Sequence, residues 1–242
     1  MNQVIMLPME FSADAVRCTI YPVVLKDEEG LTLIDCGYPG FFEKIEEALV
    51  QEKLSIKQVK RILITHHDHD HIGALKEITD RYPDIVVYCS KEQAPYITGK
   101  EKSLRLIQAE SRNVDEGFLD MLKSVEYIDH VECLEDGDVL PICGGVKVID
   151  TSGHMPGHLS FYVEETKTLI SGDALTCEKG VLRIADPFFV LDEEQEIESL
   201  KKLLSYDIRD VICYHGGRYV SVTIHNKIEK MIKKGYVKER MS

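Results

Sequence analysis

The residues with the most evident chemistry form one run, His66-His67-Asp68-His69-Asp70-His71, which directly follows the apolar stretch Ile62-Leu63-Ile64 and Thr65. A packing role does not explain such a run, because histidine and aspartate are costly to bury unless they are paired or bind a cation. Imidazole and carboxylate groups together suit a divalent first-row metal such as zinc, iron or manganese. The run therefore predicts a metal-binding loop. The alternatives are a polar loop of biased composition and an adventitious metal-binding tract.

Three later segments place a metal-capable side chain beside glycine at the end of an apolar run. They contain His154, Asp173 and His215, next to Gly153, Gly172 and Gly216. Glycine permits the tight loops that bring side chains from several strand ends to one centre. Together with the first run, these segments predict a binuclear metal site.

The elements that must position these side chains have an α/β pattern. Apolar runs predict strands at residues 4–7, 19–25, 31–35, 62–64, 85–89, 139–142, 146–150, 159–163, 168–170 and 210–214, and helical spacing predicts helices at 41–53, 72–81, 104–110, 114–125, 193–204 and 223–234. Residues 94–97 are interpreted as a loop, and Gly144-Gly145 as a hairpin turn. The strand, loop, helix, strand order around the first run is typical of an α/β sheet, in which ligands gather at the carboxyl ends of strands.

The order of these segments resembles that of the metallo-β-lactamase superfamily, which includes glyoxalase II and lactonases. The match extends from the strand before Asp35 to Gly217 and covers most of the chain. The first motif of the superfamily, His-x-His-x-Asp-His, falls on His66, Asp68, Asp70 and His71, so that Asp68 stands where a histidine is usual. The resemblance implies an α/β fold, a four-layer αββα sandwich with the site at the sheet edge.

The resemblance also implies one domain over residues 1–242. Within it, residues 90–130 are expected to be a helical insertion, either a substrate lid or a cover for a sheet edge. Residues that line the substrate pocket are expected from 94–125 and 177–190, with Tyr96, Met121, Phe188 and Phe189 as candidates.

Seven ligands for two divalent metal ions follow from the resemblance. One ion would take His66, Asp68 and His154, the other would take Asp70, His71 and His215, and Asp173 would bridge them. Zinc is the expected metal. The carboxylate of Asp68 is a harder donor than imidazole and adds a negative charge, which leaves iron and manganese as alternatives.

Four residues beside these ligands have supporting roles to test. His67 and His69 are not ligands in this register, and they either support the ligands or face solvent. His158 is expected to be structural. Asp35 either accepts a hydrogen bond from a ligand histidine or is a turn residue at the end of a strand.

Two cations held together lower the pKa of a bridging water or hydroxide and stabilise the oxyanion formed by its attack on a carbonyl. We therefore expect a metal-dependent hydrolase of a thioester, lactone or ester, with Asp70 as the catalytic residue that relays a proton to the leaving group. The alternative is a di-iron oxidoreductase of a flavodiiron-like or persulfide-oxidising kind, which Asp68 favours and the lack of a cysteine-rich electron-transfer segment disfavours. A metal-bound protein without turnover is the third interpretation.

The composition is acidic, with 29 Lys+Arg, 42 Asp+Glu and a formal net charge of −13. A small-molecule substrate is therefore expected, and binding to nucleic acid or an anionic membrane is not. Seven scattered cysteines without a Cys-x-x-Cys pair fit reduced thiols. The first residues do not resemble a signal peptide, and no apolar run reaches the ~18 residues of a membrane span. These features predict a cytoplasmic protein. The oligomeric state is open, with a homodimer as one option.

Overall fold

The structure, a computed structural model, describes residues 2–13, 16–112 and 114–235, without the side chains of Ala13 and Val16. By its internal contacts the chain divides into two units, Met1–Glu135 and Asp136–Ser242, called unit 1 and unit 2 below. None of the described helices is both long and apolar enough to cross a lipid bilayer.

Unit 1 is built on a six-stranded mixed sheet and a separate hairpin of β2 and β3. Its strands are β1 (Gln3–Met6), β2 (Met9–Ala13), β3 (Val16–Ile20), β4 (Val23–Lys26), β5 (Leu31–Ile34), β6 (Val59–Leu63), β7 (Val86–Ser90) and β8 (Glu132–Leu134). The order across the sheet is β1-β4-β5-β6-β7-β8. The pairs β1–β4 and β4–β5 are antiparallel, whereas β5 to β8 run parallel. All of β5 is buried, which explains why it lacks an alternating pattern.

The parallel strands of unit 1 place three loops at one edge of the sheet. Asp35 follows β5, Thr65 follows β6 and Gln93 follows β7. Because the carboxyl ends of parallel strands lie at the same edge, these loops converge. Backbone hydrogen bonds continue the pairing past the strand ends, for example from the Asp35 N–H to the Leu63 carbonyl at 3.0 Å.

The helices of unit 1 include those of the predicted insertion. They are α1 (Phe42–Gln51), α2 (His69–Ile72), α3 (Leu75–Arg81), α4 (Ala94–Ile97), α5 (Leu104–Ser111) and α6 (Glu116–Lys123). The insertion over residues 90–130 contains α4, α5 and α6. Helices α5 and α6 pack together through Leu106, Ala109 and Leu122, an apolar cluster of their own.

Unit 2 has a second six-stranded sheet, of order β16-β15-β12-β11-β10-β9, and a hairpin of β13 and β14. Its strands and helices are β9 (Val139–Leu140), β10 (Val146–Asp150), β11 (Leu159–Val163), β12 (Thr168–Gly172), β13 (Leu175–Glu178), β14 (Val181–Ile184), α7 (Glu193–Leu203), β15 (Asp210–Cys213), β16 (Gly217–Val220) and α8 (Ile224–Lys234). The predicted hairpin turn at Gly144-Gly145 is confirmed, since β9 and β10 pair antiparallel around it.

The strand directions in unit 2 explain where its metal-capable side chains lie. β10 and β12 are each antiparallel to β11, and β12 is parallel to β15, so β10, β12 and β15 point the same way. His154 follows β10, Asp173 follows β12 and His215 follows β15. All three therefore emerge at the same edge of this sheet.

Two sequence-based assignments are wrong, and proline explains both. The predicted strand over residues 19–25 is the end of β3 and most of β4, interrupted at Tyr21 and Pro22, because proline lacks the amide donor that a strand ladder needs. Residues 94–97, interpreted as a loop, form the short helix α4 with Pro95 in its first turn, where the missing N–H costs nothing.

Candidate metal centre

The loop after β6 holds the four predicted ligands of unit 1. His66, Asp68, Asp70 and His71 are all at most 6% exposed. The loop is fixed at its end by Gly73, whose N–H donates to the Gly37 carbonyl at 2.8 Å. A Cβ at Gly73 would lie 2.1 Å from the backbone atoms of Tyr38 and Pro39, so glycine is needed for this close approach.

The imidazole of each predicted ligand histidine in this loop faces a carboxylate. The Nε2 atom of His66 lies 3.4 Å from Asp68 Oδ2, and the Nε2 atom of His71 lies 3.8 Å from Asp70 Oδ2. These separations are longer than hydrogen bonds. They fit donors that share a cation, because two metal–ligand bonds of about 2.1 Å at a tetrahedral angle hold their donor atoms about 3.4 Å apart.

Asp35, directly after β5, orients His71. Its Oδ2 accepts a hydrogen bond from His71 Nδ1 at 2.8 Å. The same carboxylate accepts from the Thr65 N–H at 2.9 Å and from the Thr65 hydroxyl at 2.8 Å. With Nδ1 donating, Nε2 carries the lone pair of the ring that a metal requires. The interpretation of Asp35 as a hydrogen-bond acceptor for a histidine of the run is thus confirmed, and His71 stays a predicted ligand. Its φ of 61° is a turn conformation that aspartate tolerates better than most residues.

We expect Asp35→Ala to weaken metal binding by roughly 10- to 100-fold, because His71 loses the group that orients it. The free energy of unfolding should fall by about 2–3 kcal/mol, since buried donors on Thr65 and His71 lose their acceptor. Asp35→Asn keeps an acceptor oxygen, so its metal affinity and its free energy of unfolding should lie between those of wild type and Asp35→Ala. Metal titration and urea denaturation of the metal-free proteins measure both effects. Wild-type metal affinity in Asp35→Ala would contradict the orienting role.

The three predicted ligands of unit 2 also lie together. Asp173 Oδ2 is 3.6 Å from the Nε2 atom of His154 and 3.4 Å from the Nε2 atom of His215. Asp173 and His154 are buried, and the His215 side chain is 32% exposed. One carboxylate oxygen at ligand spacing from two imidazoles is the arrangement expected of a bridging aspartate.

His158 supports Asp173 and does not act as a further donor. Its Nδ1 lies 2.8 Å from the Thr151 hydroxyl, and its Nε2 accepts a hydrogen bond from the backbone N–H of Asp173 at 3.1 Å. A ring that accepts at Nε2 is neutral and donates at Nδ1. The structural role predicted for His158 is therefore confirmed.

Glu196, in α7, is a supporting residue that the sequence analysis missed. Its Oε2 accepts a hydrogen bond from the backbone N–H of His154 at 2.6 Å. Burial raises the pKa of Glu196 well above its usual range and Asp173 adds to the rise, while the hydrogen bond from His154 opposes it. Burial thus favours the protonated form of Glu196. A Cβ at Gly153 would lie 2.4 Å from the Glu196 backbone nitrogen, which shows how closely α7 approaches this loop.

Arg105, at the start of α5, was missed as well. Its Nη2 lies 2.7 Å from Asp68 Oδ2, and the two side chains are 1% and 7% exposed. The negative charge that Asp68 adds to the predicted ligand set is thus offset by a buried guanidinium. Arg105 lies 37 residues beyond Asp68 and carries no local motif.

The two interleaved histidines of the first run are not solvent-facing. His67 is 2% exposed, and its backbone N–H donates to Gln93 Oε1 at 2.7 Å. The His69 side chain is 11% exposed and makes an edge contact with Phe118, with ring centroids 5.4 Å apart. Burial lowers the pKa of His69, although Asp70 acts in the opposite direction. Both rings support the loop.

Two of the buried cysteines have thiols that are poor nucleophiles. Cys36 and Cys213 are buried, and burial raises the pKa of both thiols. A thiol that stays protonated is a poor nucleophile. All seven cysteines are free, as the sequence predicts.

A cavity of about 690 Å³ lies in unit 2 beside His215. Its walls come from β13, β14 and the end of α8. Four of its apolar lining side chains are Val181, Leu182, Ile184 and Met231. Much of this lining falls within residues 177–190, one of the two ranges expected to supply pocket residues, whereas none of its described lining residues comes from 94–125. The candidates Phe188 and Phe189 are not among its lining residues and are 48% and 39% exposed.

Comparison with known proteins identifies relatives. A family model described as the metallo-beta-lactamase superfamily matches residues 15–215. The "Probable metallo-hydrolase YflN" of Bacillus subtilis (strain 168) is 29% identical over 212 residues, 81% of this chain and 80% of that protein. A "Hydroxyacylglutathione hydrolase" of Gloeobacter violaceus is 32% identical over 158 residues, 64% of this chain and 48% of that protein.

A solved structure shows the same fold. The metallo-beta-lactamase family protein TTHA1429 from Thermus thermophilus superposes with a TM-score of 0.75 at 23% identity, over 95% of this chain and 78% of that chain. The predicted fold class, α/β of the metallo-β-lactamase type, is confirmed by this likeness. The range matched by the family model contains all seven predicted ligands. The chain belongs to the metallo-β-lactamase superfamily.

Proposed function

We propose that this chain is a metal-dependent hydrolase of a small carbonyl compound, a thioester, lactone or ester. The observation that carries the proposal is the position of Asp173, with one oxygen 3.4 Å from His215 Nε2 and 3.6 Å from His154 Nε2. This spacing fits donors to a divalent cation. Membership of the superfamily supports hydrolysis, since the relative YflN is named a probable metallo-hydrolase.

The proposed metal ligands are His66, Asp68, Asp70, His71, His154, Asp173 and His215. Two divalent ions bound by these residues would lower the pKa of a water molecule and polarise the carbonyl of a substrate. Zinc suits the mixed imidazole and carboxylate donors, with iron and manganese as alternatives.

Residues of the chain itself orient these ligands and move the proton. Asp35 holds His71, and Glu196 and His158 hold the backbone at His154 and Asp173. Asp70 is the proposed proton carrier: it takes a proton from the water as the water adds to the carbonyl carbon, and it delivers that proton to the departing sulfur or oxygen as the bond from this atom to the carbonyl carbon breaks. Its side chain is 9% exposed, so bulk water has little access to it.

A thioester is the first substrate class to test. The hydroxyacylglutathione hydrolase relative supports it, because an acyl group on glutathione is a thioester. The cavity beside His215 has a mixed lining, and its apolar part, which includes Val181, Leu182 and Ile184, suits an acyl or alkyl group. The net charge of −13 disfavours nucleic acid as a substrate and agrees with a small molecule.

The test is elemental analysis of protein expressed without added metal, with a visible spectrum and an assay panel of thioesters, lactones and esters. We expect about two equivalents of zinc, no colour and turnover of at least one panel member. His66→Ala should lose metal and turnover. His130→Ala is the matched control, because the His130 side chain is 78% exposed. No metal in wild type would refute the proposal, and bound metal without turnover would favour a metal-bound protein that is not an enzyme.

A di-iron oxidoreductase is the second candidate. The oxygen donor of Asp68 favours it, because carboxylates suit iron better than an all-imidazole set does. About two equivalents of iron with an oxidised di-iron absorption band, in protein that hydrolyses no panel member, would place this function first.

A further inference from the structure

Arg105 has a buried, charged side chain, which forms hydrogen bonds with Asp68 and with a residue of its own helix. Its Nε lies 3.1 Å from Asp68 Oδ1 and 3.0 Å from Asp68 Oδ2, and its Nη2 donates to Oδ2 at 2.7 Å. Its Nη1 donates to Gln108 Oε1 at 2.6 Å. A guanidinium in contact with both oxygens fixes the position of the carboxylate as well as its charge.

His67 helps to fix the position of Arg105. The Nε2 atom of His67 accepts a hydrogen bond from the Leu104 N–H at 3.2 Å, and Leu104 directly precedes Arg105. The Nδ1 atom of His67 lies 2.5 Å from Gln93 Oε1, and the ring stacks on Tyr96 with centroids 4.3 Å apart. Contacts at both nitrogens and on one face fix the ring. His67, which is not a proposed ligand, therefore links the run of histidines to the predicted insertion.

The charge of this region explains why an arginine is needed. Three buried carboxylates, those of Asp35, Asp68 and Asp70, lie in or beside the ligand loop. Like charges in a buried region are costly unless cations offset them. Arg105 cancels the charge of Asp68. The pair then acts on a nearby cation as a neutral donor does, although through oxygen.

We propose that Arg105 sets the charge of the metal centre, making Asp68 a neutral donor and holding its carboxylate in place. Arg105 is thus a positioning residue, which acts through Asp68. This inference rests on the proposed metal-dependent function. Because the pair adds no net charge, it removes part of the reason to expect iron or manganese instead of zinc.

The test measures the Zn²⁺ and Mn²⁺ affinities of four proteins by competition with a chelator: wild type, Arg105→Met, Asp68→His and the double variant. Arg105→Met leaves the carboxylate charge uncancelled, so binding should tighten by about tenfold or more. Asp68→His leaves a buried cation beside the ions, so binding should weaken by about 100-fold. The double variant replaces a neutral pair by neutral imidazole, so Zn²⁺ affinity should return to within about tenfold of wild type.

Opposite shifts in the two single variants separate a charge role from a merely structural one, which would weaken binding in both. Arg105→Lys keeps the charge but not the two-oxygen contact, so its Zn²⁺ affinity should lie closer to that of wild type than the affinity of Arg105→Met does. Arg112→Met is the surface control, because Arg112 is an exposed residue at the end of the same helix. If Arg105→Met does not fold, the double variant decides, and weak Zn²⁺ binding by it overturns the inference. If the wild-type protein binds neither metal, the proposed function itself is refuted. If the wild-type protein binds metal and both single variants bind it more weakly, only the role of Arg105 is refuted.

Discussion

Replacing Asp173 by alanine is expected to remove at least one of the two metal equivalents and to lower kcat/KM by about 10³-fold or more. The physical reason is the shared oxygen of Asp173, which lies at ligand spacing from both His154 and His215. Metal ions contribute several kcal/mol of transition-state stabilisation, and each 1.36 kcal/mol is about tenfold in rate. Elemental analysis and initial rates on the best panel substrate measure the two losses.

Asp84→Ala is the matched control for this prediction, because Asp84 is an exposed aspartate of unit 1. Asp173→Asn keeps one oxygen donor without its charge, and its metal content should lie between those of Asp173→Ala and wild type. Two equivalents of metal together with the wild-type rate in Asp173→Ala would exclude Asp173 as a ligand.

Asp70→Asn should lower kcat by about 10²- to 10⁴-fold, because an amide has an oxygen donor but cannot carry a proton. The loss should depend on the substrate. Esters with acidic leaving groups, which depart without a proton, should be hydrolysed at closer to the wild-type rate than esters of simple alcohols. Rates over a series of leaving groups, with metal content determined on the same samples, measure this dependence.

Asp70→Ala completes the comparison. It removes both the oxygen donor and the proton carrier, so metal should be lost along with turnover. If Asp70→Ala retained both metals and full turnover, neither role assigned to Asp70 would hold.

The clustering of the candidate ligands could be predicted from the sequence because their chemistry and their location are both local properties. His154, Asp173 and His215 each follow an apolar strand and lie beside glycine, and parallel strand directions bring their loops to one edge. The residues that hold these side chains in place could not be predicted in this way. Glu196 lies 42 residues beyond His154 on a helix whose first turn is rich in glutamate, and nothing local distinguishes it from its neighbours.

Strand prediction failed where burial does not produce a long apolar run. The hairpin of β13 and β14 has polar or exposed residues such as Thr176 and Arg183 within it, and the sequence analysis did not predict it. Strands such as β5 and β12 are buried along their whole length and were found easily. The failures therefore lie in short pairings in which only part of each strand is covered.

The contact between Asp68 and Arg105 also bears on how such a chain can evolve. A single codon change that removes either residue leaves the charge of the other inside the protein, where it is costly. Selection therefore acts on the two positions as one unit, although 37 residues separate them along the chain. Lineages would be expected to keep or replace the two residues together, with one-residue intermediates short-lived.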